Sequence, residues 1–228
     1  MTGKFTPRMD ILPPAQQSVW PQLRNTRDLG LVLYGGTAIT LRLGHRDSVD
    51  FDFFTQAPLD RAAIQAALPF VARSTSLQDQ GNTWVVLAPC GNAAREHVKV
   101  SFFGSIAFGR VGEPELTDDG VLLVASLADL MATKVKVVLQ RAQAKDYRDV
   151  AAMVNAGVSL PHGLAAARLL FGPNFQPSES LKALVYFDDG DLKEVLTDTE
   201  KATLINAVKS VRDLPDVALR SSSLSDRG

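Results

Sequence analysis

A chain of 228 residues, 46% apolar and 21% charged, can bury a core as one generous domain or two small ones, and this composition excludes a disordered or fibrous protein. A formal net charge of −1 excludes a strongly basic nucleic-acid footprint over the whole chain, leaving only a local basic stripe open. The single cysteine, Cys90, excludes an internal disulfide and a cysteine zinc cage; with no signal-peptide pattern in residues 1–14 and no apolar run of ~18 residues, a cytoplasmic protein without a membrane partner is expected.

In chain order, Pro13-Pro14 precede a predicted helix over 15–28, with Val19, Trp20 and Leu23 at helical spacing. Leu31-Val32-Leu33-Tyr34 reads as a buried strand stopped by Gly35-Gly36; Thr37 is expected to cap a helix over 38–43 that Gly44 ends. Over 48–54, Val49, Phe51 and Phe53 alternate with Asp50, Asp52 and Phe54, the period of a strand with one apolar face. A helix over 58–68 follows. Three strands over 70–76, 83–88 and 97–103, with turns at 79–82 and Gly91-Asn92, predict an antiparallel meander.

After a short apolar strand at 121–124 the pattern turns helical. Helices are expected over 127–141 (N-cap Ser126), 145–155 (ended by Gly157), 160–170, 178–187, 192–196 and 199–212, with a polar, frayed tail at 219–228. The predicted architecture is α+β: a mixed β-sheet with flanking helices in residues 1–120, then a helical domain in 121–228.

Two features in the first half carry chemistry. Asp50 and Asp52 lie two apart on a strand, so their carboxylates share a face with side-chain bases ~7 Å apart. Two such anions repel unless a cation sits between them, and Mg²⁺ takes one or two protein carboxylates plus substrate phosphates. Gly35-Gly36 before a helix exposes backbone N–H groups and a positive dipole end, a cradle for phosphate. Alone, the pair also fits a solvated strand face and the glycines an ordinary tight turn. One short helix separates them, so the aspartate strand folds back beside the glycine turn.

The runs Leu33-Tyr34-Gly35-Gly36-Thr37-Ala38-Ile39-Thr40-Leu41 and Gly44-His45-Arg46-Asp47-Ser48-Val49-Asp50-Phe51-Asp52-Phe53-Phe54 resemble the AbiEii/AbiGii toxin family, within the polymerase-beta-like nucleotidyltransferases. Val98-Lys99-Val100-Ser101-Phe102-Phe103, the run from Ala125 to Lys134, and Ala144-Lys145-Asp146-Tyr147-Arg148-Asp149-Val150 are similar to it too, so the resemblance spans residues 30–155. It implies a nucleotidyltransferase-type sheet and a helical domain that completes the active-site cleft. The expected substrate is an NTP such as ATP or GTP, with Mg²⁺ or Mn²⁺, an RNA acceptor such as tRNA, and a cognate antitoxin in a type IV toxin–antitoxin or phage-defence system. Gly35, Gly36, Thr37 and Ser48 would hold the triphosphate, Asp50 and Asp52 the metal, Lys134 the nucleotide phosphates, and Asp146, in preference to Asp149, would be the closing acidic residue.

One position departs from the pattern. Related enzymes often supply a third carboxylate from a later strand as general base; the matching residue here is Ser101, a poor base near neutral pH. Transfer then rests on positioning and metal electrostatics, or the site binds nucleotide and turns over weakly. A non-catalytic nucleotide-binding protein acting through partners and a small-molecule nucleotidyltransferase are the competing readings. His45 and Arg46 stand where they could touch a phosphate or acceptor, His97 and His162 have no ligand-spaced partner, and Lys134, Lys136, Arg141, Lys145 and Arg148 form a candidate basic surface for RNA.

Overall fold

The computed structural model describes residues 3–90 and 96–225 and divides the chain into two compact units. The first comprises Met1–Ala107, Glu113–Ala125 and Ser223–Gly228; the second comprises Phe108–Gly112 and Ser126–Ser222. The expected turn at Gly91-Asn92 lies outside the described residues, as do residues 226–228 of the tail.

The first unit is α+β. Its strands are β1 (Lys4–Phe5), β2 (Val32–Tyr34), β3 (Asp50–Phe54), β4 (Thr75–Gln80), β5 (Thr83–Pro89), β6 (His97–Phe103), β7 (Glu115–Thr117) and β8 (Leu123–Val124), in the sheet order β1-β7-β8-β2-β3-β6-β5-β4. The sheet is mixed: β2/β3, β4/β5, β5/β6 and β7/β8 are antiparallel, while β1/β7, β2/β8 and β3/β6 are parallel. The meander β4-β5-β6 forms, but its first strand is displaced from the expected 70–76 to Thr75–Gln80: Val71–Arg73 wind into a 3₁₀ turn, and the hairpin turn tightens to Gly81-Asn82.

Register on β3 follows from burial. Phe51 and Phe53 are fully buried, near Trp20 and Phe102 with ring centroids 6.4 and 5.8 Å apart, respectively. A slip of one residue would expose both rings and bury both aspartates. Each large apolar side chain contributes about 1.5–3 kcal/mol on burial, so the rings hold the carboxylates on the opposite face. Helices α1 (Pro14–Val19), α2 (Gly35–Leu43) and α3 (Arg61–Ala67) complete the unit. The helix expected over 15–28 stays α-helical only to Val19 and then tightens into a 3₁₀ segment, Trp20–Leu29. Thr37 does not cap α2: the helix begins at Gly35, its N-cap is Tyr34, and Thr37 lies inside.

The second unit is helical, with α4 (Leu127–Val137), α5 (Ala144–Asn155), α6 (Leu160–Phe171), α7 (Pro177–Ala183), α8 (Leu192–Val195) and α9 (Asp198–Ser210). Capping fixes several starts. The Ser126 hydroxyl accepts from Asp129 N at 3.1 Å, Ser159 caps α6, and Thr197 with Glu200 forms a full capping box on α9. Helices α4 and α6 approach closely at Gly163, where a Cβ would overlap Met131.

Two boundaries differ from expectation. The strand at 121–124 belongs to the sheet, because β8 pairs with β2 and β7; helical structure starts at Ser126. Residues 108–112 join the helical unit, where Asp129 accepts the backbone N–H groups of Val111 at 2.7 Å and Gly112 at 3.1 Å. The expected fraying of 219–228 stops short as well. Arg110 N donates to Ser221 O at 2.9 Å, Leu224 is 1% exposed, and its N–H donates to the Gln56 side-chain oxygen at 3.0 Å. A lone leucine among serines carries no periodic signal, which is why the pattern missed it.

Candidate active site

The glycine turn and the aspartate strand meet at the junction of β2, α2 and β3. Tyr34, the last residue of β2, pairs with Asp52 in the antiparallel β2/β3 ladder. Gly35 then takes φ +75°, a left-handed conformation that side chains disfavour, and a Cβ there would lie 2.6 Å from Asp52 Oδ2. At Gly36 a Cβ would overlap an Arg46 guanidinium nitrogen and approach Ser48 Oγ to 3.2 Å. Gly35 is required by its backbone angle and its close approach together, whereas at Gly36 the nearest atom is the movable end of Arg46; along both, the backbone comes up against the carboxylate, the hydroxyl and the guanidinium. As the first residues of α2, they present helix N–H groups without intrahelical acceptors.

Thr37 is 1% exposed, and its hydroxyl donates to the Asp50 carbonyl oxygen and lies 2.8 Å from Ser48 Oγ. The threonine side chain thus fastens α2 to β3, and what it can offer a phosphate is its backbone N–H. The buried Ser48 completes this fastening.

Asp50 and Asp52 are both half-buried on one face of β3. Lys99 on β6 stands opposite Asp50 in the parallel ladder and Ser101 stands opposite Asp52. The Lys99 ammonium lies 2.7 Å from Asp50 Oδ2, with 39% of the lysine and 28% of the aspartate side chain exposed. Two carboxylates on one face are the hard oxygen donors that a divalent cation takes, and the Lys99 ammonium partly offsets the charge of Asp50. Among the described residues no group of three or more His, Cys, Asp or Glu is placed to hold a metal ion.

Lys134, Asp146 and Asp149 form a separate cluster in the helical unit. Lys134 is 5% exposed, and its ammonium lies 2.6 Å from Asp146 Oδ1 and 2.7 Å from Asp149 Oδ2; Arg141 Nε adds a contact to Asp146 Oδ2 at 2.7 Å. Burial pushes the Asp146 carboxyl up, but the Arg141 hydrogen bond and the Lys134 charge outweigh it and hold it below the ordinary carboxylate range. Burial, with Asp189 and Asp146, raises the neighbouring Tyr147 hydroxyl to about 12.

The whole arrangement has known relatives. Residues 23–219 match the family described as Nucleotidyl transferase AbiEii toxin, Type IV TA system. The chain belongs to that family. It is a nucleotidyltransferase of the AbiEii toxin type, and the glycine turn, Asp50 and Asp52 fall inside the matched span. A curated relative, an uncharacterised protein of Aquifex aeolicus, is 30% identical over 171 residues, covering 74% of this chain and 78% of the relative. Among solved structures, MenT4, a nucleotidyltransferase toxin from Mycobacterium tuberculosis H37Rv, superposes with a TM-score of 0.60 over 87% of this chain and 83% of its own. At 16% identity that likeness speaks for the fold.

In this AbiEii chain the candidate residues form two groups. Gly35, Gly36, Thr37, Ser48, Asp50 and Asp52 come together in the first unit; Lys134 meets Asp146 and Asp149 in the second. Lys99 was the residue that composition and spacing did not single out. Its one signal was a lysine in an otherwise apolar alternation, Val98-Lys99-Val100, and only the β3/β6 register shows which carboxylate it faces. The candidate basic surface is partly paired within its own unit: Lys134 serves two aspartates, Arg141 serves Asp146 and Arg148 pairs with Glu200 at 3.1 Å, while Lys136 keeps its charge 4.0 Å from the Phe171 ring centroid and Lys145 is exposed. Cys90 is buried, with Sγ 3.3 Å from the Ala88 carbonyl oxygen, and His162 gives its backbone N–H to the Ser159 cap.

Proposed function

We propose that this AbiEii-family chain transfers a nucleoside monophosphate from an NTP to an RNA acceptor such as tRNA, using a divalent metal held by Asp50 and Asp52. The observation that carries the reading is the close approach of the Gly35 backbone to Asp52, which sets a phosphate cradle against the carboxylate pair. The β- and γ-phosphates lie along the N–H groups of α2, with the Arg46 guanidinium beside Gly36. The acceptor oxygen forms a bond to the α-phosphorus as the bond from that phosphorus to the bridging oxygen breaks. Pyrophosphate leaves, and the acceptor proton passes to solvent. Mg²⁺ or Mn²⁺, when bound, supplies neutralisation of the developing charge. Positioning and electrostatics carry most of such a transfer, which is compatible with Ser101 standing where a general base would be expected.

Lys134 is the nucleotide-phosphate contact that the family resemblance implies. Two of its three N–H donors serve Asp146 and Asp149, and the third is the one a phosphate oxygen would take. Asp146 and Asp149 orient the ammonium. A cognate antitoxin and a cytoplasmic site of action follow from the same reading.

Incubation with labelled NTPs, Mg²⁺ and total RNA should label RNA, and Asp50→Ala and Asp52→Ala should abolish it. Labelling that survives both substitutions overturns the assigned site. Ser101, buried opposite Asp52, favours the second reading, nucleotide binding with slow or no transfer. Tight NTP binding without transfer to RNA or to small molecules would select it.

A further inference from the structure

The carboxylates have two unlike neighbours. The sheet runs β2-β3-β6-β5, so the glycine turn at the end of β2 flanks β3 on one side and Lys99 with Ser101 flanks it on the other. Each side has a cation: the Arg46 guanidinium stands at Gly36, and the Lys99 ammonium stands at Asp50. In a transfer at phosphorus the attacking and leaving oxygens lie roughly in line. With pyrophosphate leaving along the cradle, the nucleophile arrives over β6.

We propose that Lys99 marks an acceptor subsite, where its ammonium pairs the phosphate adjoining the attacking hydroxyl of a nucleic-acid 3′ end. This rests on the transfer reaction proposed above. The lysine is reachable, and its pairing with Asp50 uses one of three N–H donors, leaving two for phosphate oxygens. The same face continues past it as apolar surface. Val85 and Leu87 on β5 stand opposite Ser101 and Lys99, and they are half-buried, as is Phe103 on β6. Phosphate against a cation with a base stacked on an aromatic ring nearby is how single strands are held, and Phe103 is the ring on this strip. A small-molecule acceptor without a phosphate would gain nothing from Lys99.

The test separates donor from acceptor by binding. Affinity for a short fluorescein-labelled RNA with a free 3′ hydroxyl is read by anisotropy against salt. Affinity for a non-hydrolysable NTP analogue with Mg²⁺ is read by calorimetry. Lys99→Met should weaken RNA binding roughly three- to tenfold and reduce the slope of log K against log salt by about 0.7, the value for one single-strand phosphate contact. Affinity for the analogue should hold or rise, and Lys99→Arg should keep both the RNA affinity and the slope. An unchanged RNA affinity and slope in Lys99→Met, weaker analogue binding in that variant, or wild-type protein that does not bind the RNA each overturns the subsite. The underlying reaction stands or falls separately: labelled RNA with an unaffected Lys99→Met removes the subsite and keeps the transfer. Loss of RNA affinity in Lys99→Met beside a wild type that labels nothing removes the transfer, and with it the acceptor role, leaving Lys99 an RNA contact.

Discussion

At Gly35 two constraints coincide: a backbone angle that side chains avoid and a carboxylate oxygen where a Cβ would go. Gly35→Ala should therefore cost about 1–3 kcal/mol of backbone strain and displace Asp52. Expected is a protein that keeps its circular dichroism spectrum and loses labelling of RNA; near-normal labelling would show that the turn has slack. Lys134 makes a different prediction. Substitution by Met removes the ammonium that two buried carboxylates share, and breaking such a pairing costs about 3–5 kcal/mol. Urea unfolding should show that loss, so an inactive Lys134→Met protein has to be shown folded before its inactivity is assigned to chemistry.

Helix α2 and strand β3 are joined at the site by the Thr37 hydroxyl, and helices α4 and α5 by the Lys134 cluster. In Thr37→Val the buried Asp50 carbonyl loses its hydroxyl donor, at a cost of about 1–3 kcal/mol. The cradle can then drift from the carboxylates, and transfer should slow roughly ten- to a hundredfold with every charged residue intact. The α4/α5 junction carries a pH dependence. Because Asp146 is held below the ordinary carboxylate range, the folded state takes up its proton less readily than the unfolded chain. Its contribution is present above the unfolded value of about 4 and is lost as pH falls through the depressed one. Unfolding free energy measured from neutral pH into that acid range should fall less steeply in Asp146→Asn than in wild type; parallel curves would remove Asp146 from the account.

Much at this scale was legible in the sequence. The alternation from Val49 to Phe54 gave β3 and the shared face of the two aspartates, and the glycines gave the turn. Which strand stands beside β3 was not legible, because alternation fixes a face and leaves the partner open. Lys99 was hidden for that reason. Thr37 was misread because a threonine after two glycines is the usual sign of a cap, and only the nearness of β3 redirects its hydroxyl.

For the whole molecule, the two units are interleaved along the chain, which passes from one to the other at residues 107/108, 112/113, 125/126 and 222/223. The last passage brings Leu224 into the first unit, where it is 1% exposed. Leu224→Ala should destabilise that unit by about 2–5 kcal/mol. Hydrogen exchange should show the loss in β2 and β3 rather than in α4–α6; unchanged protection there would mean that the leucine is incidental.

Synthesis of this protein therefore has an order of events. The sheet, the glycine turn and both aspartates have been synthesised by residue 125, yet the leucine that helps to close their unit is made a hundred or so residues later, ~5–20 s at ordinary elongation rates. During that interval the nascent chain carries the glycine turn and both aspartates on a fold still lacking one of its core side chains.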